Sequence, residues 1–257
     1  MLSSTAAATV SSIVIHPMRA LLLAMPLLLG LPVVALAQPV DPSDGLVLDA
    51  ARYRAVIGVP PAPGSAALAD DLAVLRWNQR ARYPAAVAHT WQFLYRNISA
   101  FDAAVGSDLS KTSPQLFKGL PLFLKRIDAV NDALKDVIAR PRPFVSDPSL
   151  KPCLPLEKTF SYPSGHAAWY ATASLLLADL LPERRERLLE VGQQGGYVRT
   201  YCLVHYPSDV LASQRLAAAI SRDVIASPQW QAFKQQLRPE LDKLLMPPPA
   251  GLPLLSD

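Results

Sequence analysis

Residues 165–181, GHAAWYATASLLLADLL, are apolar nearly all round a helical wheel and lie between Pro163 and Pro182. A helix without a polar face must be covered on every side, so this segment predicts a central helix wrapped by others. Segments able to cover it flank it in the chain. LPLFLKRIDAVNDALKDVIAR (120–140) places Phe123, Ile127, Val130, Leu134 and Val137 at spacings of three and four, a core-facing stripe. SAALADDLAVLRWNQRAR (65–82) lines up Leu68, Leu72 and Leu75 and is closed by Pro84. AAVAHTWQFLYRNISAFDAAV (85–105) reads as a further helix, and others are expected over 183–203, 207–226 and 229–245. No stretch alternates with period two and no internal repeat is present. The expectation is an all-α, single-domain helical bundle.

The ends of the chain read differently. Residues 1–37 contain no acid and one base, Arg19, followed by ALLLAMPLLLGLPVVALA, which ends in the small-x-small pattern Ala35-Leu36-Ala37. This predicts a secretory signal peptide, with Met1 or Met18 as its start, and a periplasmic or secreted protein. Pro26, Gly30 and Pro32 within the run weigh against a retained membrane anchor, and no later stretch reaches spanning length, so no stable membrane insertion is expected. Residues 38–64 read as an extended segment along the surface, 65–246 as the helical domain, and 247–257 as a mobile Pro-rich tail. The formal charge of +4 falls to +3 without Arg19, and no block of like charge appears, which argues against nucleic acid as a partner. Cys153 and Cys202 fall in the exported part, where one disulfide is the economical reading and two buried thiols the alternative.

Three histidines follow residue 37. His89 lies in an apolar stretch and reads as a packing residue. His166 follows Ser164-Gly165 at an expected helix start, where a capping serine, a glycine and unpaired N–H groups invite an anion. His205 precedes Asp209 by four positions, across a Pro207 suited to a helix's first turn. A carboxylate there accepts one imidazole N–H and turns the other ring nitrogen outward as base or nucleophile. Lys135, Arg142 and Arg199 supply cations at fixed distances from these groups.

Taken together, Lys135 with Arg142-Pro143 after six residues, then Pro163-Ser164-Gly165-His166, then Arg199 with His205 and Asp209, form three ordered motifs over residues 135–209. They resemble the signature of the type 2 phosphatidic acid phosphatase superfamily, most closely in its bacterial class A non-specific acid phosphatases. The resemblance implies His205 as the nucleophile that forms a phosphohistidine, Asp209 as its orienting carboxylate, and His166 as general acid and base. It also implies that Lys135, Arg142, Arg199, Ser164 and the Gly165 N–H bind the phosphoryl oxygens. Cys153 and Cys202 likewise resemble that family's cysteine pair. Neither metal nor cofactor is expected, since no Cys, His or carboxylate cluster has ligand spacing.

The function expected is hydrolysis of small phosphomonoesters, with phosphoryl transfer to alcohols as an added activity and a bell-shaped pH profile on the acid side of neutral. The oligomeric state stays open, a homo-oligomer included. Departures from the pattern are Val198, where a serine usually precedes the arginine, and Phe160 and Ala167 around SYPSGH. They keep two alternatives in view: a vanadium-dependent haloperoxidase, and a non-catalytic phosphate-binding envelope protein. Arg140-Pro141 duplicates Arg142-Pro143, and spacing from Lys135 selects Arg142.

Overall fold

A computed structural model describes residues 41–246, so the expected signal peptide and the Pro-rich tail lie outside the described residues. Within them the helices are α1 (Ala50–Ile57), α2 (Ala66–Ala81), α3 (Pro84–Gln92), α4 (Asp102–Val105), α5 (Leu109–Thr112), α6 (Pro114–Ile138), α7 (Pro143–Ser146), α8 (Gly165–Leu180), α9 (Arg185–Tyr201), α10 (Pro207–Ala226) and α11 (Pro228–Leu245). There is no strand among the described residues, so the fold is all-α as expected.

The all-apolar segment is α8, and it is the centre. It packs against α9, α10 and α6, and Ala168, Trp169, Tyr170, Ala173, Leu176 and Leu177 on it are buried. The approach of α9 depends on two glycines. A Cβ at Gly195 would collide with the Tyr170 ring, and one at Gly192 with the Ser174 side chain. Absence of side chains there lets the helices lie close, which overrides the low helix propensity of glycine. Phe123, Ile127, Val130 and Leu134 on α6 are buried as their spacing predicts, and Leu68, Leu72 and Leu75 on α2 pack round Leu203 and Tyr206.

Four details depart from the sequence reading. Val137 is 59% exposed, because the last turn of α6 runs past the helices that cover the rest of its stripe. The helix expected over 85–105 is broken: α3 ends at Gln92, and a 3-10 turn (Ile98–Phe101) precedes α4. Asn97 caps that turn by accepting the Ser99 N–H at 3.0 Å, a local bond that competes with helix continuation. Residues 38–64, read as extended, contain α1, whose Tyr53 and Ile57 are buried and whose Tyr53 hydroxyl donates to Asp223 at 2.6 Å. Finally, His89 is exposed and meets Phe93 edge-on with ring centres 5.3 Å apart, so it is a surface residue on α3.

Helix directions bring four chain ends together. The C-terminal ends of α6 and α9 meet the N-terminal ends of α8 and α10, and a backbone bond from Ser164 N–H to the Asp209 carbonyl joins the latter pair. The link from α9 to α10 reverses at Leu203, a buried non-glycine residue at φ +62°. Such a left-handed leucine costs about 1–3 kcal/mol and is held by its surroundings. Cys153 and Cys202 form a disulfide, with Cα atoms 4.8 Å apart, that fastens the loop before α8 to the end of α9.

Candidate active site

His205 lies in the α9–α10 link, almost wholly buried, with Nδ1 3.2 Å from Asp209 Oδ2. Asp209 accepts from three other donors: the Ser161 hydroxyl, the Tyr206 N–H at 2.9 Å and Nη1 of Arg140 at 2.6 Å. A carboxylate held this way fixes Nδ1 as the protonated nitrogen of a neutral His205 and leaves the Nε2 lone pair facing away from α10. Burial pushes the Asp209 carboxyl up to about 6, while Arg140 and the hydrogen bonds oppose the rise. Burial, then Arg142 and Lys135, hold His205 well below an ordinary histidine, so its ring is neutral.

His166, in the first turn of α8, is oriented from the other side. Its Nε2 lies 2.9 Å from the Leu94 carbonyl, which only an N–H can satisfy, so Nδ1 is the nitrogen that gains or loses a proton. That Nδ1 faces the Glu157 carboxylate at 3.9 Å. Burial and then Arg199 lower the His166 pKa to about 3, with Glu157 and the Leu94 bond pulling the other way.

Three cations lie near the rings. Arg142 donates from Nη1 to the Val204 carbonyl at 2.9 Å and reaches His205 Nε2 at 3.0 Å from the same nitrogen. Its Nη2 is bound to Glu157 and to Thr159 Oγ1 at 3.0 Å, and its Nε to the Thr159 carbonyl at 2.8 Å. Arg199 is also bound to Glu157 through Nη2, but its buried Nε and Nη1 have no hydrogen-bond partner. Burial, offset in part by Glu157, brings its pKa down to about 10, so it remains cationic. Lys135 donates to the Phe160 carbonyl at 2.6 Å, and burial followed by repulsion from Arg142 lowers it to about 8.

Ser164 is the N-cap of α8, accepting from the Ala167 N–H at 3.4 Å. Its hydroxyl proton is not used in that bond, and the first-turn N–H groups of Gly165 and His166 have no intrahelical acceptor. A Cβ at Gly165 would lie 3.3 Å from Asn131 Nδ2 and 3.9 Å from Lys135 Cε, so this helix end opens towards α6. All eight residues picked out in the sequence as catalytic or phosphate-binding thus gather at one end of the bundle.

Three participants escaped the sequence reading. Glu157 bridges Arg142 and Arg199, a role that no spacing along the chain announces because its loop is irregular. Asn131 is buried beside Gly165 with Oδ1 unpartnered, and its position one turn before Lys135 on α6 was the available signal. Arg140 lies on Asp209 while Arg142 contacts His205. Val198 is buried beside the helix-lining apolar residues.

The family model described as the PAP2 superfamily matches residues 122–233, which include every one of the three motifs. This segment is similar to the PAP2 superfamily. Among curated proteins, a non-specific acid phosphatase of Providencia stuartii is 30% identical over 152 residues, covering 57% of this chain and 61% of that protein. Another from Salmonella typhi is 32% identical over 149 residues, covering 55% of this chain and 59% of the relative. The chain thus spans about 60% of the length of these two relatives. A solved transmembrane PAP2 type phosphatidylglycerolphosphate phosphatase from Bacillus subtilis gives a TM-score of 0.49 at 19% identity, over 73% of this chain and 93% of that one. The PAP2 segment contains α8, α9 and α10 and most of α6, while α1 to α5 precede it.

Proposed function

We propose that the protein is an exported acid phosphatase that hydrolyses small phosphomonoesters through a phosphohistidine on His205, with alcohols as alternative acceptors. One observation carries this reading most: a carboxylate, that of Glu157, is held jointly by Arg142 and Arg199, 3.9 Å from His166 Nδ1, on the same arginine that contacts His205 Nε2. An oxyanion already occupies the space, and the unpartnered Nε and Nη1 of Arg199 leave donors for a larger one. Phosphoryl transfer is catalysed chiefly by positioning and by charge around the equatorial oxygens, which suits a cradle of cations and a helix N-terminus.

In this mechanism the ester's phosphoryl group displaces Glu157 and is held by Arg142, Arg199, Lys135 and the start of α8. The His205 Nε2 lone pair attacks phosphorus while the bond to the ester oxygen breaks. The departing oxygen takes the proton from His166 Nδ1. Neutral His166 then removes a proton from water, whose oxygen attacks phosphorus as the bond to Nε2 breaks and phosphate leaves. Asp209 keeps Nδ1 of His205 protonated and stabilises the positive charge that the ring acquires on attack. His166 must be protonated for the first half and free for the second. Burial and then Arg199 depress it in the free protein, and a phosphoryl dianion in place of Glu157 supplies negative charge beside Nδ1.

The purified chain is expected to hydrolyse a chromogenic aryl phosphate, to lose turnover in His205→Ala and to be inhibited by vanadate. Halide oxidation with added vanadate, or phosphate binding without turnover, overturns the proposal.

A further inference from the structure

Behind the nucleophile lies a second buried ion network that the proposed mechanism does not use directly. Arg140 is buried, and its Nη1 donates to Asp209 Oδ1 at 2.6 Å and to Ser208 Oγ at 2.7 Å, while Nη2 donates to Asp71 Oδ2 at 3.1 Å. Its guanidinium stacks on the Tyr206 ring, 3.7 Å from the centroid. Asp71, itself buried on α2, also accepts from the Ser208 N–H at 2.9 Å and from the Ser208 hydroxyl. A single chain of hydrogen bonds therefore runs from Asp71 through Arg140 to Asp209 and on to His205 Nδ1. Its outer member stands on a helix that precedes the matched PAP2 segment.

We propose that Arg140, clamped by Asp71, is a positioning residue for the reaction, holding Asp209 ionised and aimed at His205. The inference rests on the reading of His205 as nucleophile. The geometry is specific in three ways. Arg140 takes Oδ1 of Asp209, so Oδ2 remains for the imidazole, the Tyr206 N–H and Ser161. Its planar fork spans two carboxylates on different helices, which a lysine cannot reproduce. Tyr206 closes its face and Asp71 its far edge, so the guanidinium has no room to reach substrate and acts through Asp209 alone.

The charges that face Asp209 set how the pair behaves with pH. Arg140 just beyond α6, Arg142 and Lys135 favour its ionised form; burial and the negative charge of Asp71 across Arg140 oppose it. Arg140 is the strongest of the favourable neighbours. Removing it raises the pH at which Asp209 takes a proton and ceases to accept from His205. Removing the negative charge of Asp71 acts with the opposite sign.

The test compares Arg140→Gln, Arg140→Lys and Asp71→Asn with wild type for kcat and KM across pH 4 to 8, each value normalised to folded protein. Arg140→Gln is expected to lower kcat tenfold or more with KM little changed, and to move the acid limb of kcat up by about 1–3 pH units. Arg140→Lys keeps the charge, so it restores the acid limb, but it lacks the fork and remains at least fivefold low in kcat. Asp71→Asn does not move the acid limb upward. Wild-type kcat and an unshifted acid limb in Arg140→Gln overturn the inference; if that variant does not fold, wild-type kcat in Arg140→Lys overturns it equally. Phosphohistidine trapping on the wild-type protein separates the two levels: no label on His205 removes the underlying reading, whereas label with an unchanged Arg140 profile removes only this one.

Discussion

Nη1 of Arg142 stands 3.0 Å from Nε2 of His205, so the nitrogen assigned as nucleophile is capped at rest by a cation's N–H. The same guanidinium holds Glu157 through Nη2. Attack requires this arginine to transfer its Nη1 bond from the ring to a phosphoryl oxygen, a motion within one hydrogen-bond length. Arg142→Lys supplies charge without the fork. It is expected to lower kcat on an aryl phosphate about 10²-fold or more, in the range for loss of one oxyanion donor.

In the proposed mechanism Glu157 competes with substrate for Arg142 and Arg199. Arg199 and Arg142 outweigh the effect of burial and hold its carboxyl below the ordinary carboxylate range, which favours its charged form. Glu157→Gln weakens the competitor while leaving an acceptor in place. The expected outcome is a KM and an inhibition constant for inorganic phosphate both lowered severalfold. The free variant should melt lower than wild type, with a larger gain on adding phosphate, because the anion takes over pairing of the arginines. Steady-state kinetics and melting curves with and without phosphate check both.

His166 predicts a pH signature. Its folded pKa of about 3 lies below the ordinary histidine value, so between those limits the folded chain binds fewer protons than the unfolded chain. The sign is that His166 makes the free protein lose stability as pH falls through that window. His166→Asn should flatten that part of the stability profile. In an NMR titration of ring nitrogens, bound vanadate or phosphate should move the His166 pKa upward; a value unchanged by either anion would remove its role as acid.

Fold and site are coupled through Gly195, which lies one helical turn before Arg199 on α9. Gly195→Ala drives a methyl against Tyr170. Overpacking of this kind costs about 1–3 kcal/mol, and the displaced helix carries Arg199 with it. A lower melting temperature together with a raised KM is the expected pair of results.

The disulfide closes a loop with a sequence separation of 49. Chain entropy puts its contribution at about 4 kcal/mol for a loop of that size. Cys153→Ser with Cys202→Ser should lower the melting temperature markedly, and reductant should reproduce the shift in wild type alone.

What was legible in the sequence follows the physics of each level. The burial of α8 could be read because an all-apolar helix has one solution, and the motif residues because Lys135, Arg142, His166, Arg199, His205 and Asp209 stand at helix ends whose prolines and caps are visible in the chain. Val137 and His89 were misplaced because periodicity reports which face is apolar, not how far a neighbouring helix extends over it. Helix α1 was missed because eight residues with two buried positions make a weak periodic signal. Glu157, Asn131 and the Asp71–Arg140 pair were invisible as participants because their partners lie far along the chain, joined only once α2, α6 and the loop before α8 converge.

The whole chemical reading turns on one bond, that between phosphorus and Nε2 of His205. Rapid acid-free quenching with a labelled phosphomonoester, followed by peptide mapping, reads it. Label on the peptide containing His205, absent in His205→Ala, is the result expected. Turnover with no labelled histidine, or with label on another residue, would contradict it.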